Sequence, residues 1–149
     1  MRKFIVAMTI ALSACLPEND PVSVTEPGDL ELRTTWQASV VGRPALPNAR
    51  GSLQLADFGP YFDAQLSVTA AAASTTYAWR IWPGTCAAPV GTVQYGPTQA
   101  YPNFTTNASG AATVTRTIAG PLNLSGVYHI RVTPSTAATT ILACGDLQH

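Results

Sequence analysis

Across residues 61–70 the sequence reads YFDAQLSVTA, and its alternation leaves a chain like this little choice of fold. Phe62, Ala64, Leu66 and Val68 fall on one side, and Asp63, Gln65, Ser67 and Thr69 on the other. Successive side chains of a β-strand point to opposite faces, so period two marks a strand with one buried face. The same pattern recurs in short segments broken by Gly, Pro and Asn: TTWQASVV (34–41), SLQLADF (52–58), TYAWRIW (76–82), GAATVTRTIAG (110–120), GVYHIRVT (126–133) and TTILAC (139–144). No run has helical period, and AAAAS at 70–74 is too short to stand alone as a helix, so it is assigned to a strand end and loop. Seven or eight short strands at this spacing predict an all-β antiparallel sandwich or flattened barrel.

The first fifteen residues, MRKFIVAMTIALSAC, belong outside the fold. Arg2 and Lys3 precede an apolar run too short to span a bilayer, which is the layout of a secretory signal peptide. Leu12-Ser13-Ala14-Cys15 resembles the lipobox of bacterial lipoproteins. That resemblance implies cleavage after residue 14 and acylation of Cys15; the alternative is an ordinary secretory signal with a cysteine there by chance. Each buried methylene contributes about 0.8 kcal/mol, so three acyl chains hold a protein on a membrane almost permanently. The implied location is the bacterial cell envelope, with the outer membrane favoured in a Gram-negative cell because Leu16 follows the cysteine. Residues 15–31 then form a tether, rich in proline and acidic side chains, and residues 32–149 the folded domain.

Loss of Arg2 and Lys3 leaves six basic residues against eight acidic ones and no lysine. Nucleic-acid binding needs clustered cations to release counterions, so no nucleic-acid partner is expected. Cys86 and Cys144 remain once Cys15 is acylated. In an exported chain an even pair is most simply a disulfide, with two free thiols or half of a metal site as the alternatives.

A strand followed by a turn and GTC (84–86), with a terminal ACGDL (143–147), resembles copper/zinc superoxide dismutase and its chordin-related (CHRD-like) bacterial relatives. The likeness covers roughly residues 50–147, most specifically RIWPGTC and ILACGDL. It implies a Greek-key β-sandwich and a disulfide between Cys86 and Cys144. The chain departs from that family where its chemistry lies. Arg80 and Trp82 stand where the strand histidines belong, and Thr133 where a later histidine does. Ile141 replaces the usual arginine, and residues 87–104 contain neither His nor Asp. A redox copper needs several imidazoles, so no metal, no cofactor and no catalytic residue are expected.

By alternation Ile81 points inward, while Ala78, Arg80 and Trp82 share the opposite face. The resemblance implies that this face covers the former copper position, near His129, Arg131 and Thr133 on a neighbouring strand. These five polar and aromatic residues form a candidate binding patch, because Trp and Arg dominate recognition surfaces. The plainer reading is packing, with Arg80 stacked on Trp82. Asp57 and Asp63 flank a Gly-Pro turn and are expected to face solvent. His149, at the chain end, is expected to be mobile. Asn103, Asn107 and Asn123 open sequons that read as chance matches, and GPTQAYPNF (96–104) reads as a tyrosine-bearing loop open to a partner. The expected function is a membrane-anchored, non-catalytic binding or structural module. A metal-handling or redox envelope enzyme, and an inhibitor or adhesin presenting a loop, are the alternatives.

Overall fold

A computed structural model describes residues 31–91, 93–137 and 139–149. The expected signal peptide over 1–14, Cys15 and all of the expected tether but Glu31 lie outside the described residues. Eight strands form: β1 (Thr34–Gly42), β2 (Arg50–Asp57), β3 (Tyr61–Thr69), β4 (Thr76–Pro83), β5 (Phe104–Thr105), β6 (Ala112–Ala119), β7 (Tyr128–Pro134) and β8 (Ala143–Asp146). One turn of 3-10 helix covers Thr98–Ala100, and no α-helix occurs among the described residues.

All strand pairs are antiparallel, in the order β5-β4-β7-β8-β1-β2-β3-β6. The consecutive strands β1, β2 and β3 form an antiparallel meander, and the last strand, β8, returns beside β1. The sheet curls into a nearly closed barrel. At its one seam the chain leaves β5, turns through Asn107–Ala111 with Asn107 N–H donating to Ala111 O at 2.8 Å, and enters β6 on the other side. The all-β antiparallel architecture is thus as the alternation requires.

The alternating apolar residues meet inside. Trp36, Leu53, Leu55, Phe62, Leu66, Trp79, Ile81, Ile118, Ile130 and Val132 are almost completely excluded from solvent. Between β4 and β6 the interior is filled by the loop of residues 94–101. Tyr101 stands edge-on to Trp79 at 5.0 Å, and Tyr95 meets Phe62 at 5.7 Å and Tyr128 at 5.9 Å. Tyr101, the tyrosine expected in a partner-facing loop, therefore completes the core together with Tyr95, because a two-residue β5 is too short to close the wall.

Several local expectations change. The last strand is Ala143–Asp146 rather than 139–144: Leu142 N–H still bonds Val132 O at 2.8 Å, but pairing with β1 begins only at Ala143 and Cys144. Ala78 is buried although it shares the outer face of β4. His149 packs on Trp36 with ring centroids 4.1 Å apart, and Gln148 bridges to Gln37, so the end is pinned to β1. Asp57 continues the inward row of Leu53 and Leu55 and is fully buried, not solvent-facing. Its Oδ1 accepts Gly59 N–H at 2.7 Å, and its Oδ2 lies 3.9 Å from Arg33. Asp63 does face outward and accepts the Thr117 hydroxyl at 2.5 Å.

On β6 the inward positions are Ala112, Val114, Arg116 and Ile118, set opposite Val68, Leu66, Ala64 and Phe62. Arg116 is thus a cation on the core side of the seam strand, and it remains exposed.

Candidate functional site

Antiparallel register between β4 and β7 brings the patch together. Arg80 is directly opposite Arg131, and Trp82 directly opposite His129. Directly opposed residues project from the same face, so all four stand on the outer wall of the barrel. Thr133, next but one to Arg131, joins Arg80, Trp82 and Arg131 around a shallow notch. The stacking partner differs from expectation: it is the Arg131 guanidinium, not that of Arg80, that lies over Trp82, at 4.6 Å.

β4 ends in the turn Pro83-Gly84, whose glycine has φ of +86°. A side chain there would also strike Val90 N at 2.5 Å, so the turn requires glycine. The turn folds residues 84–90 back over β7 and β8, where Cys86 is joined to Cys144 with a Cα–Cα distance of 6.0 Å. Two side chains hold the same segment. Asp146 Oδ1 accepts Cys86 N–H at 2.5 Å, and Arg43 donates to Cys86 O at 3.0 Å. Neither residue was singled out from sequence. Asp146 had a usable signal, since it alternates with Cys144 and so shares its outward face; Arg43 had none.

His129 lies beneath this segment and is fully buried. Its Nδ1 is 2.9 Å from Gly84 O, and its Nε2 is 2.8 Å from Arg131 Nε. A carbonyl only accepts and a guanidinium only donates, so the ring is neutral with its proton on Nδ1. Burial pushes the His129 pKa below its ordinary 6.5; the Gly84 bond opposes this, the Arg131 charge adds to it, Asp146 opposes it and Arg43 adds to it. Burial also lowers the pKa of Arg131.

The site does not fit a copper or zinc ion. Both nitrogens of His129 are engaged, and among the described residues no three His, Cys, Asp or Glu side chains gather into a set able to hold a metal. The sequon asparagines at 107 and 123 use their side-chain oxygens on turn N–H groups, of Ser109 and Ala111 and of Ser125 respectively. A larger depression of about 320 Å³ lies elsewhere, on the outer face of β1, β2, β3 and β6, where Gln37, Gln54, Gln65 and Asp63 surround it.

The fold and site define an antiparallel, disulfide-tied barrel bearing an arginine-tryptophan-histidine cluster on its outer wall. Comparison of the chain with protein-family models and with curated proteins finds no match.

Proposed function

We propose that this chain is a non-catalytic binding module, held on a bacterial envelope membrane by acyl chains on Cys15. The lipobox-like LSAC supports the anchor. The likeness of RIWPGTC and ILACGDL to superoxide dismutase supports descent from a metal-binding sandwich whose ligand positions have been refilled. One observation carries the binding role: Arg80 and Arg131 face each other across β4 and β7, and no carboxylate among the described residues lies within 4.0 Å of either. Like charges directly opposed on a sheet destabilise it. A pure packing role gives no reason to place them so.

The test has two parts. Cys15→Ser should move the protein from the membrane pellet to the soluble fraction, whereas retention in the pellet refutes the anchor. Arg80→Ala with Trp82→Ala should leave the barrel folded and abolish recovery of whatever the tethered protein holds in its own envelope. A double variant that changes stability alone reduces the patch to packing. Elemental analysis should find copper and zinc well below one per chain; one tightly held equivalent overturns the proposal.

A further inference from the structure

The outer wall of β4 and β7 carries more hydrogen-bond donors than the protein uses. Arg131 gives its Nε proton to His129 and rests its plane on Trp82, which fixes the guanidinium and leaves both terminal nitrogens without an acceptor among the described residues. Arg80, directly opposite, makes no side-chain hydrogen bond among the described residues. Thr133 is nearly buried, yet its side chain lines the same notch. Asp146, the acid nearest the cluster, is paired with His129 rather than Arg131 in the β7–β8 register, and its Oδ1 is held by Cys86 N–H.

We propose that Arg80, Arg131 and Thr133 form a receptor for a phosphate group. The proposal rests on the binding reading above and names the ligand class of that site. A planar carboxylate is satisfied by one guanidinium fork. Two forks reaching from neighbouring strands, with a hydroxyl beside them, suit an anion with oxygens on several sides. A tetrahedral phosphate has that shape. Arg131 is held in place before any ligand arrives, so little ordering cost falls on binding. The half-buried setting strengthens each charge-assisted bond relative to open water. The phosphate belongs either to a soluble ester or to a phospholipid head group, which present the same oxygens.

The experiment follows the side-chain N–H signals of Arg80, Arg131 and Trp82 by NMR in the full-length protein, in neutral detergent. Sodium phosphate is titrated against sodium chloride at matched ionic strength. Saturable shifts of all three signals with phosphate are expected, and linear shifts that chloride reproduces would overturn the proposal. Arg80→Gln should weaken phosphate binding at least tenfold while His129 ring signals stay put, because Arg80 does not touch that ring. Unchanged affinity in this variant also overturns it. Sedimentation of the Cys15→Ser protein with phosphatidylglycerol vesicles separates the sources: Arg80-dependent binding assigns the head group, and phosphate saturation without vesicle binding assigns a soluble ester. If phosphate fails while the Arg80→Ala, Trp82→Ala variant still loses its envelope ligand, only the ligand class is wrong. If that variant changes stability alone, the binding reading falls with it.

Discussion

Replacing Cys86 and Cys144 together by alanine isolates what the cross-link contributes. The two cysteines are 58 residues apart, and the segment between them carries β5, β6 and β7. In the chain-entropy treatment, opening a loop of that length lowers stability by about 4 kcal/mol, because the unfolded chain gains conformations. The folded state should change little. Residue 86 keeps its N–H bond to Asp146 and its carbonyl bond from Arg43, and residue 144 keeps its place between β7 and β1. For a folded part of about 120 residues, unfolding entropy near 2.1 cal/mol/K per residue turns that loss into a fall in Tm of about 15 °C. Thermal and urea denaturation followed by circular dichroism would measure both quantities. A chain-entropy origin also requires a larger urea m-value in the variant, since its unfolded state is less compact. A fall in Tm under about 4 °C, or a large fall with no change in m, would refute the reasoning.

Acid should weaken the fold through His129. Its pKa is depressed by burial, so the neutral ring's contribution is complete above pH 6.5 and is lost as pH falls below that value toward the folded pKa. One proton sets a ceiling of about 1.4 kcal/mol per pH unit on the slope, and His129→Gln should flatten it in urea melts between pH 7 and pH 5. Asp57→Ala leaves Gly59 N–H without its acceptor, and a loss of about 1–3 kcal/mol is expected by the same measurement. Arg33→Ala removes the cation beside this fully buried carboxylate, whose Oδ2 has no hydrogen-bond partner among the described residues, and should also cost about 1–3 kcal/mol.

Much of the wall of this barrel was legible from residue spacing, and its reasons show where legibility stops. YFDAQLSVTA became β3 with the expected faces, because Leu66 meets Leu53 and Val114, Ala64 meets Leu55, and Phe62 meets Ile118 on the inward side. The end of the chain read less well. In TTILAC the apolar residues Ile141 and Leu142 suggest a strand, yet the backbone that pairs is Ala143–Asp146, chosen by the disulfide and by the edge of β1. Asp57 was misplaced because a carboxylate beside a Gly-Pro turn carries no mark of the Arg33 and Gly59 that meet it inside. The patch was foreseeable as a face, since alternation fixes which side chains share a wall. Its internal wiring was not. That Arg131, not Arg80, covers Trp82 depends on His129 binding its Nε, a contact between residues i and i+2 whose geometry only the folded chain supplies.

Arg116 has a consequence for how copies of this protein meet. A barrel with one open seam offers a stranger's backbone a row of free N–H and C=O groups, the usual starting point for edge-to-edge fibres. β6 is eight residues long and otherwise well suited to recruit such a guest. A guanidinium on its core side would have to be stripped of water before a second sheet closed over it, so association stalls at that step. Arg116 is thus the single charge that opposes such docking along a strand otherwise made of alanines, threonines, a valine and an isoleucine.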